Sequence, residues 1–378
     1  MTESPPVSID SVFSPDKPDF TDRPALFRER HGWCPYSERV WLALEHLGVP
    51  YDTIRIDNTG GPRPSYYAGQ TPQVRWPEGN TQSESMDLVQ EINDRYSQDD
   101  GLQTSSSVVQ ETIRAFRNIF PRNARPSSRA AFLFRYNGDP LFRSTFQETL
   151  QQTNDLLGET EGPFFCGPDL TAADVAWVPF LERYRYQLPC LHDGLDPYSS
   201  DDYANLRRWY DAMDRVPAYA CRVRGDGSSW RKVLTMTGFG NAGVPPDIVG
   251  NMEELMRAET ESSLKLVNQD VWDEYASTRP YVASTPQAQA AMVLVQNREA
   301  IVKDTLKRTA GNGGVLPTTR EGLEEAMRGL ASCLLKDTSV SSSSVVALAK
   351  FLDERMCVPR DMGAMSAAFI KKVAATDI

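Results

Sequence analysis

Hydrophobic residues follow two different spacings along this chain. Up to about residue 97, short apolar runs alternate with longer stretches of helical period. The pattern predicts strands at 26–28, 51–56, 73–76 and 80–82, and helices at 38–47 and 85–96. A β-α-β beginning followed by a hairpin and a helix predicts a small mixed sheet with helices packed against it.

Beyond a polar linker at 97–107 the spacing becomes helical throughout. Val109, Ile113, Phe116 and Phe120 share one helix face, and residues 171–174 have the pattern of a capping box with Asp in place of Glu. Further helical spacing fills residues 248–375. We therefore expect a flexible arm at 1–24, an α/β domain at 25–97, a helical domain at 107–234 and a helical extension at 248–378.

The net negative charge of the chain disfavours some classes of binding partner. With 40 Lys and Arg against 51 Asp and Glu, the 378-residue chain has a formal net charge of −11. An acidic balance disfavours phosphate backbones and anionic lipids, so we expect neither nucleic-acid nor anionic-membrane binding. Charged residues interrupt every apolar stretch before the roughly 20 residues of a membrane span, so a soluble chain without a span is expected.

The cysteines and histidines argue against a metal site. Six cysteines are scattered without paired spacing, and there are three histidines. This pattern is typical of a reducing compartment rather than of a disulfide framework or a zinc site, so no metal is expected. We expect a cytoplasmic location. The alternative is the plastid stroma or another reducing compartment, if a targeting peptide precedes this numbering, because residues 1–24 lack the features of one.

The candidate chemistry centres on Cys34, in the run Cys34-Pro35-Tyr36-Ser37. Cys34 precedes a helical stretch, where unpaired N–H groups and the helix dipole favour a thiolate. Ser37 stands where a Cys-x-x-Cys pair would have its second cysteine. An internal disulfide cannot form here, so redox exchange needs a thiol from another molecule. The structural alternative is a small, buried, apolar cysteine.

Three motifs in order resemble the cysteine-type glutathione transferases, most of all the lambda and omega classes. They are residues 34–41 before a helix, Thr71-Pro72 before a short strand, and Glu84-Ser85 opening the next helix. The resemblance covers about residues 25–232. It implies an α/β thioredoxin-like N-terminal domain and an all-α glutathione-transferase C-terminal domain, followed here by an additional all-α domain.

The resemblance also implies glutathione as co-substrate and a role for each motif. Glu84 would meet the ammonium of the γ-glutamyl end, while the Ser85 hydroxyl and the N–H groups at that helix start would hold its carboxylate. Thr71 would pair its backbone with the cysteinyl unit, beside a cis Pro72 that faces Cys34. The alternatives are an ordinary N-cap at Glu84-Ser85 and a trans, turn-forming proline at Pro72.

A pocket for the acceptor substrate is expected from aromatic residues. Trp33 lies next to Cys34 in the sequence, and Tyr184 and Tyr186 lie on the predicted core helix of the second domain. We expect these three side chains to line the pocket.

The predicted function is that of a glutathione-dependent thiol transferase or reductase that uses the single thiol of Cys34. Deglutathionylation and dehydroascorbate reduction are the activities that the resemblance implies, with a small molecule or a protein disulfide as substrate. The alternative is a non-catalytic scaffold or interaction protein that keeps the fold and binds a protein partner through residues 248–378. That alternative rests on the extension, in which no motif carries recognisable chemistry.

Overall fold

The computed structural model describes residues 6–11, 20, 22–58, 63–121, 132–135, 138–234, 255, 259, 262–309, 315–336 and 342–376. Contacts divide the chain into two units. One comprises Met1–Tyr219 and Trp230–Met252, the other Ala220–Ser229 and Glu253–Ile378. The boundary expected between residues 234 and 248 lies outside the described residues.

The first unit contains a five-stranded sheet. Its strands are β1 (Ser8–Asp10), β2 (Ala25–Glu29), β3 (Asp52–Ile56), β4 (Gln73–Arg75) and β5 (Thr81–Ser83), in the order β1-β3-β2-β4-β5. β1 and β2 run parallel to β3, whereas β4 is antiparallel to both β2 and β5. The parallel β2–β3 pair needs a crossover, which helix α1 (Pro35–His46) supplies, and helix α2 (Ser85–Tyr96) follows the β4–β5 hairpin.

The flexible arm expected at residues 1–24 contains a strand, β1. Residues 8–10 pair with 53–55 of β3, the Val7 N–H donates to Asp52 Oδ1 at 2.8 Å, and Asp10 forms an ion pair with Arg30 at 2.8 Å. The three residues of β1 are too few to show the alternating pattern of a strand in the sequence. Contacts with residues far along the chain stabilise this strand. Residues 1–5, 12–19 and 21 of the arm lie outside the described residues.

Helices make up the second part of this unit. They are α3 (Ser107–Ile119), α4 (Arg143–Leu157), α5 (Ala172–Leu191) and α6 (Ala204–Met213), followed by α7 (Gly227–Leu234), within which the division between the units falls. The predicted capping box is confirmed at the start of α5, because the Thr171 hydroxyl accepts from Ala173 N–H and Asp174 accepts from the Thr171 N–H. α5 is buried along nearly its whole length, as the apolar sequence predicts.

The second unit is helical, as predicted for the extension. It contains α8 (Gln269–Ser277), α9 (Pro286–Gln296), α10 (Arg298–Thr309), α11 (Arg320–Lys336), α12 (Ser343–Arg355) and α13 (Ala364–Ala374). The predicted apolar stripes form its core, with Leu294, Leu330 and Leu348 buried together. Among the helices described in either unit, none combines the length and the apolar character needed to cross a bilayer.

The segment at residues 220–229 differs from the expected domain division. It belongs to the second unit rather than to the helical domain at 107–234. Cys221 lies against the Val271 carbonyl, with a sulfur-to-oxygen distance of 3.7 Å, and the Val358 N–H donates to the Ser229 hydroxyl at 2.9 Å. These contacts join residues more than 40 positions apart, which a local sequence pattern does not reveal.

Candidate active site

Cys34 lies where β2 has ended and α1 begins. It is the N-cap of α1, with φ −74° and ψ 112°, and its carbonyl accepts the Glu38 N–H at 3.2 Å. Pro35 follows at the start of the helix, as the sequence predicts. The thiol is half-buried and donates to the Thr71 carbonyl, with 3.8 Å between sulfur and oxygen. It is therefore accessible and next to the unpaired N–H groups of the first helical turn.

A loop before β4 holds Thr71 against this thiol. The Thr71–Pro72 peptide is cis, the isomer that the sequence resemblance implies. Asn58 donates its side-chain N–H to the Thr71 hydroxyl at 2.7 Å. Arg63 in turn donates to the Asn58 side-chain oxygen at 3.1 Å and to the Gly69 carbonyl at 2.7 Å. These polar contacts fix the segment that faces Cys34.

Glu84 and Ser85 occupy the N-terminus of α2. Glu84 has φ 72° and ψ 111°, a left-handed backbone conformation that non-glycine residues rarely adopt and that costs about 1–3 kcal/mol. Its carbonyl accepts the Leu88 N–H at 2.9 Å, and its side chain is exposed. Ser85 is 8% exposed. The strained residue directs a carboxylate and the following hydroxyl away from the helix they precede.

Arg39 connects these elements, although the sequence does not identify it as a site residue. Its Nε and Nη2 both donate to the Ala176 carbonyl of α5, at 2.9 and 2.6 Å, and its Nη1 donates to the Ser85 hydroxyl at 3.4 Å. Burial lowers the pKa of this guanidinium to about 10, while negative charge at Tyr36 or Cys34 would act in the opposite direction. Arg39 therefore stays cationic at neutral pH, close to both Ser85 and the thiol.

The residues expected at the acceptor pocket lie mainly in the core. Tyr184 is 0% exposed and its hydroxyl donates to the Phe132 carbonyl at 3.0 Å, and Tyr186 is also buried. The expectation that these two tyrosines line a pocket is therefore wrong, since a helix that is apolar on all sides gives no sign of which face is open. Trp33 is close to Cys34 but largely buried, with its ring stacked on His31 at 4.3 Å.

Another group of rings lies nearer to the start of α1. Tyr36 is 49% exposed, and its ring meets Phe180 of α5 edge-on, with 5.9 Å between centroids. Phe116 of α3 lies 4.7 Å from Phe180, and the Arg39 guanidinium lies 4.9 Å from the Phe116 ring. These rings form an aromatic, cationic neighbourhood beside α1 that the sequence-based choice of pocket residues missed.

Two family models match the part of the chain that carries these residues. One, described as the glutathione S-transferase N-terminal domain, matches residues 33–95, and the other, described as the glutathione S-transferase C-terminal domain, matches residues 111–212. Both domains occur in order, with the site residues inside the first. Residues 33–95 and 111–212, which together make up less than half of the chain, are thus similar to the two domains of a glutathione S-transferase.

Curated relatives agree with this assignment over about half of the chain. Glutathione S-transferase L2, chloroplastic, of Arabidopsis thaliana is 25% identical over 198 residues, which cover 49% of this chain and 62% of that relative. Protein IN2-1 homolog B of Oryza sativa subsp. indica is 28% identical over 196 residues, covering 49% of this chain and 75% of that protein. The chain thus spans less than two thirds of the Arabidopsis relative's length.

A solved structure of a transferase aligns with part of this chain at low similarity. Glutathione transferase Omega 1C from Trametes versicolor aligns with a TM-score of 0.39 and 19% sequence identity, covering 65% of this chain and 98% of that one.

A buried charge cluster underlies the candidate transferase site. Arg183 of α5 donates to Glu38 of α1 at 2.8 Å, and both side chains are at most 3% exposed. Glu182 accepts from the Tyr219 hydroxyl at 2.7 Å and from the Trp230 indole N–H at 2.6 Å. Burial raises the pKa of the Glu38 carboxyl to about 8; Arg183 opposes that shift and the neighbouring Glu182 adds to it. Near neutral pH, Glu38 therefore holds a proton.

The sequence contains a signal for this cluster. Glu38 and Arg39 fall within an otherwise apolar helix, and Glu182 and Arg183 follow a long apolar run in α5. Charged residues are almost never fully buried unless they are paired, so these positions indicate partners elsewhere in the chain. Nothing in the local sequence shows which partners they have.

Replacing Glu38 by Gln should change how stability depends on pH. The pKa of the Glu38 carboxyl is about 8 in the native protein and near the ordinary 4.5 in the unfolded chain, so the native state holds the extra proton between these values. Stability is then lost as pH rises through this window, by at most about 1.4 kcal/mol per pH unit for one proton. We expect Glu38→Gln to flatten this decline, measured by urea unfolding from pH 5 to 8.

The matched control for this prediction is Ser37→Ala. Ser37 is a buried polar neighbour on α1 that does not titrate, so its replacement should keep the slope of the unaltered protein. A Glu38→Gln variant whose stability declines as steeply as that of the unaltered protein would show that Glu38 carries no extra proton.

Proposed function

We propose that this chain is a glutathione-dependent thiol transferase that forms a covalent intermediate at Cys34. The observation that carries the proposal is the position of the Cys34 thiol at the N-cap of α1, 3.8 Å from the carbonyl of Thr71 and beside cis Pro72. A half-exposed thiol at a helix N-terminus is in the setting that favours a nucleophilic thiolate. The match of residues 33–95 and 111–212 to the two glutathione S-transferase domain models supports glutathione as the second thiol.

Glutathione would lie along the Thr71 segment and the start of α2. The Thr71 backbone would pair with the cysteinyl unit of the tripeptide. The N–H groups of the first turn of α2 and the Ser85 hydroxyl would hold the γ-glutamyl carboxylate, since helix N-termini favour anions. The exposed carboxylate of Glu84 would meet the adjacent ammonium. The cationic Arg39 next to Ser85 adds a favourable field for the same carboxylate.

The exchange proceeds in two steps that balance atoms and electrons. The Cys34 thiolate attacks the glutathionyl sulfur of a mixed disulfide, the substrate sulfur leaves as a thiolate and takes a proton, and Cys34 is left disulfide-bonded to glutathione. The thiolate of a second glutathione then attacks the glutathionyl sulfur of that bond. Oxidised glutathione leaves and the Cys34 thiolate is restored. The N-terminus of α1 stabilises Cys34 as the leaving group in this second step.

The acceptor and the compartment follow from the same proposal. The exposed ring of Tyr36, with Phe116 and Phe180, supports substrates that carry an apolar or aromatic part beside their disulfide. The chemistry needs a pool of reduced glutathione, so we propose a reducing compartment. The cytoplasm is the first choice, and the chloroplastic location named for the Arabidopsis relative makes the plastid stroma the alternative.

Replacing Cys34 by Ser should abolish disulfide exchange. Since the hydroxyl cannot form the mixed disulfide, we expect kcat/KM on a small glutathione mixed disulfide to fall by at least about 100-fold. Cys166→Ser is the matched control: Cys166 is another half-buried cysteine, hydrogen-bonded to Thr112 at 3.6 Å, and its loss should leave turnover unchanged. Turnover that survives in Cys34→Ser would contradict the covalent mechanism.

Replacing Ser85 by Ala should weaken glutathione binding without slowing the chemical step. A hydrogen bond to a charged group contributes about 1.5–3 kcal/mol, so we expect KM for glutathione to rise by about tenfold or more. kcat should stay within about twofold, because the carboxylate is held equally before and during the exchange. The control is Ser83→Ala, an exposed serine of β5. A fall in kcat at unchanged KM would rule out this role for Ser85.

A further inference from the structure

The backbone of Trp33, the residue that precedes the thiol, is held from both sides by buried charged side chains. The Trp33 N–H donates to Glu29 Oε2 at 2.8 Å, and the Trp33 carbonyl accepts from Arg183 Nη2 at 3.0 Å. The Trp33 carbonyl and the Cys34 nitrogen belong to one planar peptide unit. A hydrogen bond that fixes this carbonyl therefore also fixes the position of the Cys34 nitrogen at the start of α1.

Glu29 binds the loop from the sheet side. It is the last residue of β2, its side chain is 0% exposed, and its second carboxylate oxygen accepts the His31 N–H at 2.8 Å. A buried carboxylate is costly unless its oxygens are hydrogen-bonded, and here each oxygen accepts one loop amide. The carboxylate thus orders the residues between the strand and Cys34.

Arg183 binds the same loop from α5. It is 0% exposed and is oriented by three further contacts: a hydrogen bond to Glu38, a hydrogen bond to the Pro179 carbonyl and stacking on Trp230, whose ring centroid lies 4.1 Å from its guanidinium carbon. A planar guanidinium held in this way can present one N–H to the Trp33 carbonyl in a single direction.

We infer that Glu29 and Arg183 are positioning residues for the Cys34 thiol, which hold the backbone N–H and carbonyl of Trp33 so that the sulfur stays at the N-terminus of α1. Neither side chain touches the reacting sulfur in the structure. The inference deepens the proposed function, because it assumes that Cys34 is the reactive thiol. It assigns the reactivity of that thiol partly to an arginine 149 positions further along the chain.

The physical consequence concerns the thiolate. Stabilisation by a helix N-terminus is confined to the first turn, so a small displacement of the loop removes much of it. Losing one of the two contacts should let the Trp33 backbone rotate and move the sulfur away from the N–H groups. The thiol would then react more slowly.

The test measures alkylation of Cys34 by iodoacetamide in the absence of glutathione, quantified by mass spectrometry of the peptide that contains Cys34, from pH 5 to 9. In Glu29→Gln, an amide N–H replaces one of the two acceptors, and in Arg183→Gln the guanidinium is lost. For each variant we expect the alkylation rate at pH 7 to fall by about fivefold or more. Thermal unfolding is recorded for each variant.

Arg185→Gln is the matched control. Arg185 lies on the same helix and forms a partly buried ion pair with Asp214 at 2.9 Å, so its loss should lower stability without changing the alkylation profile. If Glu29→Gln and Arg183→Gln keep the alkylation profile of the unaltered protein, like Arg185→Gln, both residues are merely structural and the inference is overturned.

If a variant fails to fold, hydrogen exchange of the unaltered protein still tests the inference. Hydrogen exchange of the peptide containing residues 29–34 should be slow at the His31 and Trp33 amides, because both donate to a buried carboxylate. Exchange at the rate of an unstructured chain would overturn the inference. Neither alkylation nor hydrogen exchange needs turnover, so a failure of the proposed function, seen as no Cys34-dependent exchange, stays distinguishable from a failure of the positioning roles.

Discussion

Two buried guanidinium groups hold the helix of the thiol against the helical domain, and the rest of the candidate site depends on them. Arg39 reaches from α1 to the Ala176 carbonyl of α5, and Arg183 reaches from α5 to Glu38 and the Trp33 carbonyl. Burying such a charge is costly unless its N–H groups find acceptors, and breaking one partner of a buried pair typically costs about 3–5 kcal/mol. The hydrogen bonds of these two guanidinium groups therefore fix the backbone before Cys34, at Trp33, and the helix after it, α1.

The same constraint connects the thiol with the proposed glutathione-binding residues. Arg39 donates to Ser85, which follows the strained backbone of Glu84, so the start of α2 is tied to α1 by a charged side chain rather than by apolar packing alone. Strain of this kind persists only where the surroundings over-determine a conformation. The thiol, the Thr71 segment and the N-terminus of α2 thus form a site whose parts are fixed before any ligand binds.

Much of this arrangement could be predicted from the sequence because it is local. The N-terminal helix position of Cys34, the capping box at Thr171 and Asp174, and the apolar stripes of the extension each follow from a few neighbouring residues. The strand at Ser8–Asp10 and the contacts of Arg183 with Glu38 and with the Trp33 carbonyl could not be predicted, since the partners are distant in the sequence. Tyr184 and Tyr186 were wrong as pocket residues, because a helix buried on every side offers no amphipathic face to read.

In the proposed mechanism, Cys34 itself becomes disulfide-bonded to glutathione. Peptide mapping by mass spectrometry, under non-reducing conditions, after incubation of the protein with oxidised glutathione tests this step. We expect one glutathione per chain, located on Cys34 and released by reduced glutathione. Adducts spread over the other half-buried cysteines, Cys166, Cys333 and Cys357, with none on Cys34, would contradict it.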